Sequence, residues 1–332
     1  EAVGLRAFMH FDLIRLFAEQ YTVNPEAEGI PYATEFSLKT PDFESLEKNY
    51  EHILKDLHEA ELLLENEDEF ENTSNFMLDR QIHFNKRAVW ATLARVYMTK
   101  GDKENAVKYA KKVIEDGKYT LKEKTEVQDD LAGVLSKKEC LFGIYYAGFY
   151  TQVSAKLQQM TSFYSLDLPK EFLKLYEKDA SGSDFRTMAY FSESGTGSSS
   201  KTRLCKFTDV YELNNNVASR PADLILGINM IRIPEMYYIL AEVLLEKEPE
   251  KAMEYYNEVR THRGLEPLET EIIDSETGNT IETPFTLQHI NDERFKEYIG
   301  EGLLFFNMKR LNMPIISYDG ATTYEASKNI YV

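Results

Sequence analysis

Carboxylates are the side chains in this sequence best suited to acid–base chemistry. Among 56 aspartates and glutamates in 332 residues, Glu293 and Glu301 flank a predicted helix break. A glycoside hydrolase uses two carboxyl groups roughly 5–10 Å apart in an open cleft. Basic residues stand near this pair on predicted helices, namely Arg294, Lys309 and Arg310. We therefore interpret both carboxylates as members of structural ion pairs, and we expect no catalytic pair.

Other catalytic and cofactor signatures are missing from the sequence. It contains no G-x-G-x-x-G, phosphate loop, H-E-x-x-H, C-x-x-C or G-x-S-x-G motif, and its six histidines never stand four residues apart. Cys140 and Cys205 lie outside any metal-ligand spacing and leave both a disulfide and two free thiols open. Asp274, Glu276 and Asn279 depart from the spacing of a calcium loop and favour a hairpin tip. We predict a binding protein that is not an enzyme, with no metal and no cofactor.

Aromatic residues are the unusual feature of the composition, with 21 tyrosines and 19 phenylalanines against one tryptophan. Many fall on predicted helix cores, but several cluster in loop-like stretches beside amide side chains. Such rings suit the apolar faces of a sugar, and amides suit its polar rim. Local packing beneath a loop is the alternative for any single ring. The candidate ligand-binding residues are Tyr21, Asn24, Tyr32, Phe149, Tyr150, Tyr164 and Tyr190.

The formal net charge of −18 comes from 56 acidic and 38 basic side chains. A surface this acidic repels phosphate backbones and anionic lipid headgroups, which argues against nucleic-acid and direct membrane binding. No stretch approaches the roughly 18 apolar residues of a membrane span. The chain opens at Glu1 within an amphipathic pattern. We therefore expect a preceding segment, in which a targeting signal or lipid-attachment cysteine would lie.

Helical periodicity dominates the chain and predicts a mostly α-helical scaffold in a single domain over 1–332. Predicted helix pairs occupy about 1–65, 86–116, 230–263 and 288–311. An insertion region with short β-prone runs lies at about 139–225, and a hairpin excursion lies at 264–287. The Gly/Ser tract from Ser192 to Lys201 predicts a mobile surface loop. Function is expected in the long insertions, because loops held by a rigid scaffold commonly carry binding residues.

The sharpest local motif lies at 86–116. Trp90, Leu93, Ala94 and Tyr97 match the start of a tetratricopeptide repeat (TPR), with alanine for glycine. The pattern recurs at 234–263. Small residues in such a unit let two antiparallel helices approach closely, so the single tryptophan is predicted to be buried between them.

The first helix is predicted over residues 2–18. Its apolar residues at helical spacing are Leu5, Phe8, Met9, Leu13, Leu16 and Phe17. These positions predict the buried face of the helix.

Several stretches of the chain resemble the SusD/RagB family of outer-membrane nutrient-binding lipoproteins. They are GLRAFMHFDLIRLFAEQY (4–21) with IPY (30–32), NYEHILKDLHEAELLL (49–64), RAVWATLARVYMTKGDKENAVKYAKKVI (87–114), RIPEMYYILAEVLLE (232–246), NEVRTHRGL (257–265) and INDERFKEYIGEGLLFFNMKR (290–310). Their order and spacing agree with the family over nearly the whole chain. Leu304 stands where the family usually has a basic residue, and Asn307 stands where it usually has aspartate.

The resemblance implies a SusD-like α-α superhelix of TPR-like pairs that binds oligosaccharides at the cell surface without catalysis. It implies delivery of the ligand to a SusC-like TonB-dependent transporter, and an N-terminal lipid that anchors the protein in the outer membrane of a Bacteroidetes-like bacterium. No binding residue is carried over, because the family's ligand contacts lie in variable loops.

Three alternatives stay open at this point. The same fold could bind peptides, as RagB-like members do. An intracellular TPR scaffold would bind peptide tails, although the long insertions and the acidic charge argue against it. An acidic glycoside hydrolase would need an open carboxylate pair.

Overall fold

The computed structural model describes residues 1–123, 125–126, 135–146, 148, 152, 174–176, 184–194, 201–207, 217–219, 224–273, 280–316 and 323–324. The chain divides into two compact units. Unit 1 comprises Glu1–Asp116 and Gly302–Val332, and unit 2 comprises Gly117–Glu301. The prediction of a single domain stays a prediction.

Helices make up most of the described residues, which confirms the predicted mostly α-helical class. They are α1 (Ala2–Phe17), α2 (Leu46–Leu63), α3 (Lys86–Lys100), α4 (Lys103–Asp116), α5 (Phe185–Tyr190), α6 (Pro234–Leu244), α7 (Pro249–His262), α8 (Leu287–Tyr298) and α9 (Leu303–Arg310). Short 3₁₀ segments occur at Glu67–Phe70, Asn75–Met77, Arg80–Ile82 and Val217–Ser219.

Strands in the described part of the chain pair only two by two. They are β1 (Glu28–Pro31), β2 (Phe43–Ser45), β3 (Cys140–Tyr145), β4 (Phe191–Ser194), β5 (Lys201–Leu204), β6 (Gly227–Arg232), β7 (Glu271–Ile273), β8 (Thr280–Glu282), β9 (Ile315–Ile316) and β10 (Thr323–Tyr324). The antiparallel pairs are β1–β2, β3–β6, β4–β5, β7–β8 and β9–β10.

Side-chain caps begin two helices of unit 1, and a glycine ends one of them. Ser45 begins α2, where its side chain accepts a hydrogen bond from the Lys48 backbone N–H. Asn85 begins α3 in the same way, with its side-chain oxygen 3.0 Å from the Ala88 nitrogen. Gly101 ends α3 at φ 84°, a left-handed conformation that glycine adopts without strain.

The TPR-like pair α3–α4 has the interior that its motif predicts. Leu93, Ala94 and Ala106 are fully buried, and only 7% of Trp90 is exposed. The indole ring of Trp90 lies under the ammonium of Lys112, 4.3 Å from the ring centroid. The predicted burial of the only tryptophan is confirmed.

The predicted buried face of α1 is wrong for most of its residues. Met9, Leu13, Leu16 and Phe17 are 44–68% exposed. The helix is apolar on more than one side, and the side that packs against α2 carries smaller and aromatic residues. The buried residues of α1 are Gly4, Ala7, Phe8, Phe11 and Ile14. Hydrophobic spacing alone could not tell the two sides apart.

Close approach at Gly4 explains this choice of face. A Cβ atom at Gly4 would lie 2.8 Å from the Phe84 ring and 3.1 Å from the Ala60 Cβ. The glycine therefore allows α1 to lie close against α2, and only this side of the helix can make that contact.

Unit 2 contains the second helix pair, α6–α7. Leu240, Ala241, Ala252 and Val259 are fully buried, as the repeated motif predicts. Proline occupies the first turn of both helices, where no intrahelical N–H donor is needed. Strand β3 pairs with β6, which leads into α6.

The structure tests parts of two predictions about the insertions. Residues 192–194 and 201 of the Gly/Ser tract belong to the β4–β5 ladder, so the mobile loop predicted there is wrong at both ends of the tract. The predicted hairpin at 264–287 is confirmed by the pairing of β7 with β8. Its predicted tip, at 277–279, lies outside the described residues.

The two cysteines of the chain do not form a disulfide, because Cys140 and Cys205 are both free thiols. Burial raises the pKa of the Cys140 thiol well above its usual range. Among the helices that the structure describes, none combines the length and the apolar character needed to cross a bilayer.

Replacement of Trp90 by alanine is expected to lower the free energy of unfolding of unit 1 by about 3–5 kcal/mol, because it leaves a cavity between α3 and α4. Chemical denaturation followed by circular dichroism measures the change. Phe17→Ala is the control, since 68% of Phe17 is exposed, and it should cost well under half as much. Equal stability of Trp90→Ala and the parent would contradict the packing role of Trp90.

Candidate ligand-binding site

A cavity in unit 1 contains Tyr21, one of the predicted ligand-binding residues. The cavity is a shallow depression that is partly open to solvent. Aromatic rings line one part of it, from Tyr21, Tyr50 and Phe306. Polar side chains of Gln20 and Thr99 also reach it. This mixture of apolar rings and polar groups is typical of small-molecule sites.

Tyr21 is held in place by its neighbours. Its hydroxyl donates a hydrogen bond to the Glu47 carboxylate, and its ring centroid lies 4.7 Å from that of Tyr50. The ammonium of Lys100 lies 5.0 Å from the Tyr21 ring centroid. Burial and the bond to Glu47 raise the pKa of Tyr21, so the hydroxyl stays protonated at neutral pH. The ring is half-buried and keeps part of its surface toward the cavity.

Backbone hydrogen bonds fasten the loop that carries Tyr21. Asn24 donates its N–H to the Gln20 carbonyl at 3.1 Å and accepts one from Ala27 at 3.1 Å. The start of α2 donates back to this loop, from Glu47 N–H to Pro25 O at 2.8 Å. The loop is therefore a folded part of the scaffold. Asn24 is exposed three residues after Tyr21.

Asn49 on α2 clamps strand β1, which follows the loop. Its side chain accepts a hydrogen bond from Ile30 N–H at 2.7 Å and donates one to Ile30 O at 3.0 Å. A Cβ atom at Gly29 would lie 2.0 Å from the Asn49 side-chain oxygen, so only glycine leaves room for this clamp. The sequence motif gave no sign of this amide.

The Tyr32 side chain is packed against neighbouring side chains, whereas the sequence predicts a ring that is available to a ligand. Its ring is stacked between His10 and His52, with centroid distances of 4.1 Å and 5.0 Å. Its hydroxyl donates to Asp56 at 2.7 Å, and Asp56 also accepts two hydrogen bonds from Arg6, each at 2.7 Å. Both faces of the ring are covered in this arrangement, so Tyr32 contributes to the packing of unit 1 and does not line the cavity.

Tyr190 lies in unit 2 and is likewise packed. It is 9% exposed and belongs to a buried cluster with Ala189 and Ile299. The Lys206 ammonium lies 4.3 Å from its ring centroid. Of the predicted site residues, the structure thus places Tyr21 at the cavity, with the exposed Asn24 on the same loop. Phe149, Tyr150 and Tyr164 lie outside the described residues.

The residues that sequence reasoning missed are the charged groups of the cavity. Arg15, Lys309 and Arg310 line it, together with Glu19. Arg15 and the two residues of α9 are far apart in sequence, and no local motif predicts that a C-terminal helix returns to the end of α1. A hydrogen bond from the Lys309 ammonium to the Ala18 carbonyl, at 2.6 Å, makes that connection.

The suspected carboxylate pair lies in unit 2 and is saturated by cations. Glu293 accepts from Arg186 at 2.7 Å and also pairs with Lys296. Glu301 accepts from Arg232 at 2.8 Å. The side chains of both glutamates are at most 3% exposed. The structural interpretation is confirmed, although the partners differ from the basic residues that sequence proximity had suggested.

Glu297 is the centre of this buried ionic network. It is fully buried and accepts hydrogen bonds from Arg232 at 2.6 Å, from Arg263 at 2.9 and 3.0 Å, and from Arg186 at 3.3 Å. Burial acts to raise its pKa, but the surrounding arginines outweigh burial and hold the pKa well below its usual range. Glu139 joins the network through Arg263, at 2.9 Å.

The described residues contain no group of three or more histidine, cysteine, aspartate or glutamate side chains arranged to hold a metal ion. The cavity in unit 1 offers aromatic, amide and charged groups.

Family models match the sequence in three segments. The model of the SusD family matches residues 150–331. A second model, described as starch-binding and associating with the outer membrane, matches residues 1–98, and a tetratricopeptide-repeat model matches residues 88–115. The chain belongs to the SusD family. No curated protein sequence gives a significant match.

Solved structures of similar proteins support the same fold. A SusD superfamily protein from Bacteroides thetaiotaomicron is 26% identical, with a TM-score of 0.73, over 98% of this chain and 72% of that one. A putative sugar binding protein from Bacteroides vulgatus is 22% identical, with a TM-score of 0.70, over 98% and 71%. A SusD-like carbohydrate binding protein from the same species is 20% identical, with a TM-score of 0.69, over 95% and 63%. The TPR-like scaffold predicted from the sequence is thereby confirmed.

The buried network predicts how unit 2 responds to acid. Burial acts to raise the pKa of Glu293, but Arg186 and Lys296 outweigh it and lower the pKa to about 2. A carboxylate with a depressed pKa stabilises the fold above its unfolded pKa of about 4.3, and that contribution is lost as the pH falls toward 2. We expect the protection of α8 in hydrogen exchange to be constant above about pH 4.3 and to fall below it.

Glu293→Gln separates this effect from general acid denaturation. It should destabilise unit 2 at neutral pH by about 3–5 kcal/mol, because it leaves buried cations without a carboxylate, and it should flatten the acid dependence. Glu254→Gln, on the exposed side of α7, is the control. An unchanged acid profile in Glu293→Gln would show that another group governs the response.

Proposed function

We propose that this protein binds oligosaccharides at the cavity of unit 1 and does not cleave them. Membership of the SusD family supports the proposal, as does the description of the second matching family model as starch-binding. Two structurally similar proteins are described as sugar or carbohydrate binding. The single observation that carries the choice of site is Tyr21, an aromatic ring held in position with part of its surface toward a polar cavity.

The geometry around Tyr21 suits a sugar ring. An aromatic face covers the apolar C–H surface of a pyranose, and this contact contributes on the order of 1–2 kcal/mol. Gln20 and Thr99 offer donors and acceptors for hydroxyl groups. Because Glu47 and Lys100 already fix the Tyr21 side chain, little rotamer freedom is lost on binding. A few such contacts in an open depression correspond to micromolar to millimolar affinity.

The proposal places the protein at the outer membrane, held by an N-terminal lipid, as the family resemblance implies. The description of one matching family model includes association with the outer membrane. The partner in this proposal is a SusC-like TonB-dependent transporter, since a weak binder without catalysis is useful when it hands its ligand onward. A tethered receptor would raise the effective ligand concentration at the transporter.

Replacement of Tyr21 by alanine tests the site. We expect glycan affinity to fall by roughly five- to thirtyfold, which corresponds to the loss of one stacking contact. Tyr21→Phe keeps the ring and should retain most of the affinity. Isothermal titration against plant, host and microbial oligosaccharides, with peptides beside them, measures the change, and the recovered ligand should show no new reducing ends.

Phe70→Ala serves as the matched control, because Phe70 is 56% exposed in the same unit and does not line the cavity. Glycan binding that is unaffected in Tyr21→Ala would place the site elsewhere. Binding of peptides alone would favour the RagB-like alternative, and release of reducing ends by a clean preparation would contradict the non-catalytic role.

Solubilised outer membranes test the proposed partner. The full-length protein should co-purify with a TonB-dependent transporter in mild detergent, and an abundant unrelated outer-membrane barrel should stay behind. A stable complex should bury more than about 1,000 Å² in total. Recovery of the protein without any transporter, from membranes in which both are present, would overturn the assignment of the partner.

A further inference from the structure

The described side chains that line the Tyr21 cavity are mainly cationic, whereas the chain as a whole is acidic. The chain carries a formal charge of −18, yet the described part of the lining contains three cationic side chains and one carboxylate. A protein with a large negative charge repels anions at long range. The simplest explanation for these cations is that they fasten the cavity walls.

Contacts within the cavity wall account for the position of Arg15. Its guanidinium lies 4.5 Å from the Phe11 ring centroid and 4.0 Å from that of Phe306, between the two rings. It also pairs with Asp12, one turn earlier on α1. Cation–π contacts and an ion pair of this kind stabilise the junction of α1 with α9. Arg15 thus needs no ligand to account for its position.

Lys309 is different, because its hydrogen-bond acceptor is neutral. Its side chain is buried, and its ammonium donates to the Ala18 carbonyl at 2.6 Å. Burial lowers the pKa of Lys309, which shows that this environment disfavours the charge. A carbonyl oxygen supplies a dipole and no counter-charge. An anion in the cavity would supply the missing negative charge.

Arg310 follows Lys309 at the end of α9. Its guanidinium donates to the Asn307 side-chain oxygen at 2.8 Å. Guanidinium groups bind carboxylates and sulfates through parallel hydrogen bonds, which a neutral hydroxyl cannot match in strength.

We propose that the cavity selects sugars that carry a carboxylate or sulfate group, with the anion toward Lys309 and Arg310 and the sugar ring against Tyr21. The inference rests on the proposed function, that this cavity binds oligosaccharides. The inference adds the class of ligand, which is an acidic saccharide. The overall negative charge of the protein would by itself suggest a neutral saccharide. The carboxylate of Glu19 also lines the cavity, where it repels an anionic ligand and limits the preference for acidic over neutral sugars.

Matched ligand pairs test the selection. A galacturonic acid oligomer is compared with its methyl ester, and a sulfated galactan oligomer is compared with its desulfated form. Within each pair the sugar backbone is constant and only the charge changes. The acidic member of at least one pair should bind about tenfold more tightly to the parent protein in calorimetry, and the preferred pair identifies the carboxylate or the sulfate as the source.

Two substitutions with opposite expected effects distinguish recognition from damage. Arg310→Gln should reduce the ratio of acidic to neutral affinity about fivefold, whereas Glu19→Gln should raise that ratio by a similar factor. A merely structural lesion would not raise it. Lys55→Gln makes the same change of charge as Arg310→Gln on the exposed side of α2, away from the cavity lining, and should leave the ratio unaltered.

The outcomes separate this inference from the proposed function. Equal or tighter binding of the neutral member in both pairs would overturn the acidic selection and leave oligosaccharide binding intact. A ratio that falls in Glu19→Gln would also overturn it. Failure of all four ligands and of the wider glycan panel to bind would overturn both proposals together.

Discussion

The Glu297 carboxylate, fully buried against three guanidinium groups, is the contact on which the rest of unit 2 depends. Its partners Arg186, Arg232 and Arg263 come from α5, from β6 and from the end of α7. Burial of one carboxylate without its cations would cost several kcal/mol, and so would burial of the cations without it. The elements that carry these groups must therefore assemble together. Helix α8 presents Glu293 and Glu297 one turn apart, and so reaches several of these partners.

Unit 1 uses a smaller version of the same principle around Asp56. This carboxylate on α2 accepts from Arg6 on α1 and from Tyr32 beyond β1. Burial acts to raise the pKa of Asp56, but these hydrogen bonds outweigh it and lower the pKa. The amide of Asn49 holds Ile30 and the Asp56 carboxylate holds Tyr32, so both fasten the segment that follows the Tyr21 loop. The cavity is thus positioned by polar groups on helices, while the aromatic rings provide its surface.

Local sequence patterns predicted the elements well, and they predicted the buried faces of the TPR-like helix pairs but not that of α1. The TPR-like spacing at Trp90 predicted both the helix pair and its interior, because small and large residues alternate there in a recognisable order. On α1, two apolar sides compete, and only Gly4, against Phe84 and Ala60, decides which one is buried. The cavity could be predicted only in part. Tyr21 belongs to a local motif. Lys309 and Arg310 lie on α9, which reaches the cavity through the contact of Lys309 with Ala18, 291 residues earlier in the sequence.

The fastening of the Tyr21 loop has an evolutionary consequence. The groups that hold the loop are backbone atoms and side chains on α2, such as Pro25 O with Glu47 N–H and the amide of Asn49. The side chains that face outward from it, including Asn24, take no part in that fastening. Substitutions at the outward positions can therefore accumulate at little cost in folding free energy. A lineage that meets a new nutrient can diversify these few positions while it inherits the helices unchanged.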